Sequence, residues 1–171
     1  MTENRYDALV IGAGIHGLSA LYHLSGRRQL ARVGLVERFR LGHDRGSSHG
    51  RSRVTRTAYV DPGYVRWMHH VHAEAWPALE RDAGLRLVHP TRGCFFGPTG
   101  GKWETYARAV SGVADCEVID VAEARHRYPL LRFDGADGAL DDGTAGVVAA
   151  ADTLAALERL ARQRGAEILE E

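Results

Sequence analysis

Apolar positions near the start of the chain follow two different periods in turn. "YDALVIGAGIHG" opens with alternating and then continuous apolar residues, which predicts a buried parallel strand over about Tyr6–Ile11. The next stretch, "GLSALYHLSG", shifts to helical spacing, with Leu18, Leu21 and Leu24 on one stripe. "ARVGLVE" is again strand-like and ends on Glu37. Further along, "SRVTRTAY" (Ser52–Tyr59) carries the Val and Thr content of an extended segment. Asp61 then predicts an N-cap, with Pro62 at the first helical position and "YVRWMHHVHAEAW" following as helix. Pro77 should kink or restart that helix and Gly84 should end it.

The middle of the chain is punctuated more densely. "RLVHPTRGCFFGPTGG" predicts two short strands with turns, and "KWETYARAVSGV" a short helix. "VIDVAEARHRYPLL" reads as a strand end, a helical turn and a stop at Pro129. In "DTLAALERLARQRGAEILEE", Asp152 is the expected cap, and Leu154, Leu157 and Leu160 mark one face. Gly165 is the expected residue just past the helix, and "AEILEE" starts a third parallel strand of the first sheet.

Composition narrows the function classes. The 171 residues suffice for a real core, and 22 basic against 22 acidic residues leave no excess charge for nucleic acid or an anionic membrane. Positive charge is instead local, concentrated between Arg45 and Arg56. The N-terminal apolar run is broken by glycines and histidines, lacks the flanks of a signal peptide and is too short to span a bilayer. Cys94 and Cys116 have no metal or redox spacing and read as small buried hydrophobes in a reduced, cytoplasmic setting. His69, His70 and His72 lack a partner at ligand spacing, so they read as a helix face, and no metal site is expected.

Gly12, Gly14 and Gly17 have the G-x-G-x-x-G spacing between a strand and a helix. In that context Gly12 permits the tight turn, Gly14 lets the backbone approach a pyrophosphate, and Gly17 packs helix against strand. Ile15 and His16 open the helix, whose N–H groups and positive dipole end face the phosphates. Glu37 ends the second strand, where its carboxylate can accept from both hydroxyls of an adenosine ribose. That carboxylate disfavours a 2′-phosphate, although Arg38 is adjacent. NAD and FAD both fit this fingerprint.

"GSSHGRSRVTRTAY", Gly46–Tyr59, holds one histidine and three arginines with no acid. On a strand Arg53 and Arg56 point to opposite sides, whereas on a helix they would lie together. An extended segment could therefore serve two sites, or be an edge strand with its arginines in water. The fingerprint followed by this segment resembles the flavin amine oxidases of the monomeric sarcosine oxidase type. The shared pattern falls on Gly46, Ser47, His49, Gly50, Ser52, Arg53, Arg56, Ala58 and Tyr59.

The resemblance implies an α/β fold: a Rossmann-like FAD-binding domain with an incomplete parallel sheet and the beginning of an inserted α+β substrate domain. FAD would be cradled by Gly12, Gly14, Ile15, His16, Gly17, Glu37 and Arg38, with Gly46, Ser47 and Ser48 along its phosphate and ribityl region. His49 and Arg53 would lie near the flavin ring, and Arg56 would hold the substrate carboxylate on the other face, giving His49, Arg53 and Arg56 as catalytic candidates. The implied reaction oxidises the C–N bond of an N-methyl or other secondary amino acid, with a hydride equivalent passing to flavin N5. Dioxygen would reoxidise the flavin to give H2O2, and the imine would hydrolyse to an aldehyde and an amine.

The expected layout is a first part of the FAD-binding domain over residues 1–84, a substrate-domain insertion over 85–140 and a return to the FAD-binding domain over 141–171. The resemblance is to the N-terminal portion of the family alone, without the cysteine that carries covalent flavin and the lysine implicated in oxygen activation. A truncated chain of little activity, one piece of a split enzyme completed by a chain supplying the C-terminal half, and a domain of reduced role are the alternatives that follow. So are a flavin dehydrogenase of the same fold passing electrons to a carrier, and a non-catalytic nucleotide-binding module.

Overall fold

A computed structural model describes residues 5–113 and 115–171. Its first sheet is parallel, built from β1 (Ala8–Ile11), β2 (Val33–Glu37) and β9 (Glu167–Glu170) in the order β1-β2-β9. Leu9 pairs with Gly34 and Gly34 with Glu167, so the strand begun by "AEILEE" joins β2 as expected. Two helices, α1 (Ile15–Ser25) and α6 (Ala150–Gln163), pack together on one face of this sheet. Leu18, Leu21 and Tyr22 of α1, Val33 and Leu35 of β2, and Ala156, Leu157, Leu160 and Ala161 of α6 are buried there. Each fully buried leucine contributes about 2 kcal/mol of apolar transfer.

Leu9, Ile11 and Leu169 sit on the opposite face, and all three are exposed. Tyr6 covers part of that face: a Cβ on Gly34 would lie 2.6 Å from its ring, so glycine is required for the close approach. The Tyr6 hydroxyl donates to Glu167 at 2.7 Å, and Arg32 also bonds that carboxylate.

The second group of elements is antiparallel. β5 (Gly93–Gly97), β7 (Gly138–Asp142) and β6 (Cys116–Ile119) form a sheet in the order β5-β7-β6, with β7 buried along its length. β3 (Ser52–Thr55), β8 (Gly146–Ala149) and β4 (Val88–Pro90) form another, in the order β3-β8-β4. Helix α2 (Pro62–His70) starts as expected, with the Asp61 carboxylate accepting from Gly63 N and Tyr64 N. A π-helical turn, Val71–Ala75, leads into α3 (Trp76–Ala83), so Pro77 falls where a new helix begins, and Gly84 follows at φ +66°. The remaining helices are α4 (Lys102–Ala109) and α5 (Val121–Arg127), the latter capped by Asp120.

The chain divides into two compact units. One comprises the chain up to Ser52 with Arg81–Leu87 and Ala149–Glu171; the other comprises Arg53–Glu80 and Val88–Val148. These limits differ from the expected 1–84, 85–140 and 141–171. Arg53–Glu80 joins the second unit because β3 pairs with β8 and Val65 of α2 packs with Ala58, Val110 and Leu140. Residues 141–148 stay there because β7 lies between β5 and β6.

Two local expectations also shift. The strand expected over Ser52–Tyr59 ends at Thr55, because the N–H groups of Thr57 and Ala58 turn to the Asp142 carboxylate at 3.2 and 2.9 Å. Helix α6 begins at Ala150 with Ala149 as N-cap, so Asp152 lies in the first turn, where it favours the dipole without capping. Gly165 follows at φ +87°, as the sequence predicts.

Candidate functional site

The turn between β1 and α1 is fixed by three glycines doing different work. Gly12 adopts φ +92°, a conformation side chains rarely take. Gly14 is extended and serves as N-cap of α1 without a side chain of its own to cap it. A Cβ at Gly17 would overlap the Gly12 carbonyl oxygen, so the helix can pass this close to the turn only with glycine there. The Ile15 N–H at the helix start donates to Ser48 Oγ at 3.0 Å, which brings the serine loop onto the helix N-terminus.

Glu37 reaches the same turn from the tip of β2. One carboxylate oxygen accepts from Ala13 N at 2.7 Å and the other from Phe39 N at 3.0 Å, with His43 Nε2 at 3.5 Å. The Ala13 N–H holds its pKa below the ordinary carboxylate value, and burial opposes this less strongly. His43 packs edge-on against Phe39, whose ring also lies under Arg45 at 4.7 Å.

These groups line a cavity of about 620 Å³. Gly12, Gly14, Ile15, His16, Gly17, Glu37, Gly46, Ser47, Ser48 and His49 all contribute to its wall, which brings nearly every predicted cofactor residue together. Arg38 lies over the Phe39 ring at 5.4 Å and is outside the lining. The volume is that of a ligand pocket. A backbone that needs glycine at Gly12 and Gly17, beside helix N–H groups and a carboxylate, fits the pyrophosphate and ribose of a dinucleotide.

Over residues 7–171 the chain matches the family described as FAD dependent oxidoreductase. The chain belongs to this family. It is 36% identical to the peroxisomal sarcosine oxidase of Homo sapiens over 165 residues, which covers 95% of the chain and 42% of that relative. The monomeric sarcosine oxidase of Streptomyces avermitilis is also 36% identical, over 168 residues, with 95% and 42% covered. Among solved structures, NikD, an unusual amino acid oxidase essential for nikkomycin biosynthesis, superposes with a TM-score of 0.78 at 25% identity, covering 96% of this chain and 43% of that one. L-Proline dehydrogenase from P. horikoshii shares the fold, with a TM-score of 0.80 at 24% identity over 97% of this chain and 44% of that one. The chain thus spans 42% of the length of these two curated relatives. As a member of the FAD dependent oxidoreductases it has the Rossmann-like FAD-binding fold, and FAD is its cofactor.

In the second unit the strand that carries the arginine segment ends at Thr55, so strand parity does not reach Arg56. Arg53 lies on β3 and is exposed, whereas Arg56, just past the strand, is half-buried. The Arg56 guanidinium carbon is 5.0 Å from the Tyr59 ring centroid, 5.1 Å from Phe95 and 5.6 Å from Tyr106. Among the described residues no carboxylate pairs with it. The quadrupoles of three rings hold the cation by cation–π attraction, each contact worth about 0.5–2 kcal/mol. Phe95 and Tyr106 were not legible as its partners, since they lie on β5 and α4.

The other candidates resolve quietly. His72 bonds Thr55 Oγ1 at 3.2 Å and burial pushes its pKa down, while His70 pairs with Glu74 at 3.2 Å. Among the described residues no three or more His, Cys, Asp or Glu side chains are grouped so as to hold a metal ion. Burial pushes the Cys94 thiol up to about 11 and the Cys116 thiol up to about 12, which keeps both unreactive at neutral pH. His49 bonds the Gly46 carbonyl at 2.5 Å and is exposed. No helix among the described residues is long and apolar enough to cross a membrane.

Proposed function

We propose that this chain carries the FAD-binding and carboxylate-anchoring parts of an oxidase for N-methyl or other secondary amino acids, with dioxygen as final acceptor and H2O2 as product. The observation that carries the reading is Arg56, an arginine ringed by three aromatics in a chain whose relatives are named sarcosine oxidases. Its planar fork suits both oxygens of a carboxylate. Desolvation by the rings strengthens that contact, and packing against them fixes its direction.

Bound FAD supplies the two-electron acceptor for the carbon next to the amine nitrogen. The chain's own residues do the rest. Gly12, Gly14 and Gly17 give the pyrophosphate close access to the backbone, and the start of α1 presents N–H groups to it. Glu37 accepts from the ribose. His49 and Arg53 take the role the family pattern assigns, electrostatic support for the negative charge that a flavin ring gains on reduction. Two free thiols suit a reducing compartment, and the cytoplasm is the placement we propose.

The test is spectroscopic. The purified protein should bind FAD and turn yellow, and sarcosine should bleach it in the absence of air. A colourless protein that takes NAD in place of FAD overturns the reading.

A further inference from the structure

Helix α2, the π-helical turn and α3 share one inward row. Val65 and Leu79 are buried, and Met68, His72 and Trp76 between them are half-buried. The imidazole is the ionisable member of an otherwise apolar and aromatic row, and it sits on the π-helical turn Val71–Ala75, a distortion that recurs at functional sites. A polar group turned inward is costly unless it finds hydrogen-bond partners. His72 finds them on the segment that carries Arg56: Nε2 lies 3.2 Å from Thr55 Oγ1, and the ring also hydrogen-bonds the Arg56 backbone. We infer that His72 is a positioning residue for Arg56, fixing the direction in which the guanidinium meets a substrate carboxylate. The inference deepens the proposed function and rests on its assignment of Arg56.

Arg56 needs a holder on each side because it lies just past the end of β3. On its C-terminal side the Asp142 carboxylate fixes Thr57 N and Ala58 N at 3.2 and 2.9 Å. On its N-terminal side Thr55 is buried, and its hydroxyl meets His72. With both neighbours fixed, the Arg56 backbone has little freedom, and its side chain leaves towards Tyr59, Phe95 and Tyr106. Burial holds the His72 pKa below its ordinary value, against smaller upward pulls from Asp142 and the Arg56 backbone, while His69 adds a last downward push. A neutral ring offers one donor and one acceptor, which suits a hydroxyl and a peptide group. A carboxylate at this place would neutralise the guanidinium that a substrate needs. A neutral imidazole holds the backbone and leaves the charge available.

Two readouts on the 171-residue chain test this. The first is the Arg56 Nε–H resonance in a proton–nitrogen NMR spectrum, displaced by the rings around it. His72→Leu should move it towards the position of an exposed arginine, whereas His72→Gln, which keeps a hydrogen-bonding end, should leave it in place. The second is bleaching of the FAD-loaded protein without air, by sarcosine and by dimethylamine. His72→Leu should raise the sarcosine needed for half-bleaching about ten-fold and leave the dimethylamine requirement within about two-fold, at unchanged FAD content. His72→Gln should restore the sarcosine response. Thr55→Val removes one of the same hydrogen bonds from the other partner, and should act in the same sense where the leucine disturbs folding. An Arg56 resonance unmoved in the folded variants overturns the inference, and so does an equal shift for the two amines in His72→Leu. A parent indifferent to which amine is supplied overturns the carboxylate reading instead, and the resonance still decides whether His72 positions Arg56.

Discussion

Glu37 in the first unit and Asp142 in the second are both carboxylates that gather backbone N–H groups, yet one stands in a cavity wall and the other is sealed. Glu37 accepts from Ala13 and Phe39 where a ligand can reach it. Asp142 is wholly buried and accepts from Thr57 N, Ala58 N, Thr144 N and Thr144 Oγ1. Its neighbour Asp141, also wholly buried, takes Arg92, Arg127 and Tyr128 on the other face of β7. Burial alone would raise the Asp141 pKa, but hydrogen bonds from Arg92, Tyr128 and Arg127 outweigh it and hold the group below its usual value. The same chemistry thus lines a cavity in one unit and holds the fold together in the other.

The largest break in that contrast should come from Asp142→Ala. Ala58 N and Thr144 N would lose their acceptor in a dry interior, while Thr57 N keeps Thr144 Oγ1 at 3.0 Å, a cost of at least about 2 kcal/mol, read as a fall in the denaturant midpoint. Gly17→Val acts on the first unit instead. Its side chain would strike the Gly12 carbonyl, and FAD affinity should fall by about a hundred-fold or more in a fluorescence titration. If Gly17→Val binds FAD normally, the cradle is not where the cofactor sits.

Thr57→Val is the smaller test of the sealed region. Its hydroxyl is buried and without a hydrogen-bond partner among the described residues, so a methyl in its place should raise stability by about 1 kcal/mol. Acid sharpens the contrast from the other side. Glu37 has a folded pKa below its ordinary 4.5, so its contribution is complete above that value and is lost as the pH falls through the lower folded one. Glu37→Gln should flatten that acid limb of the stability curve while leaving the neutral fold intact, measured by melting across pH 2–6 in steps of about half a unit.

Elements that depend on near neighbours were legible in the sequence. The strand, glycines and helix over Tyr6–Ser25, the Asp61–Pro62 helix start and the Gly165 stop all follow from local rules, and all are present. What was not legible depends on contacts distant in sequence. The strand at Ser52 stops early because Asp142, 85 residues beyond Thr57, takes its N–H groups. The aromatic ring around Arg56 draws on β5 and α4, and Leu154 turns to a cavity that the leucine spacing of α6 does not announce. The compact units differ from the expected limits for the same reason, since strand pairing across long separations decides which segment joins which unit.

The most direct measurement compares sarcosine with dimethylamine, its decarboxylated counterpart, as reductants of the FAD-loaded protein without air. The account predicts that sarcosine bleaches the flavin band at far lower concentration than dimethylamine, and that Arg56→Met erases the difference while FAD content stays the same. Equal response to the two amines in the unaltered protein would contradict it.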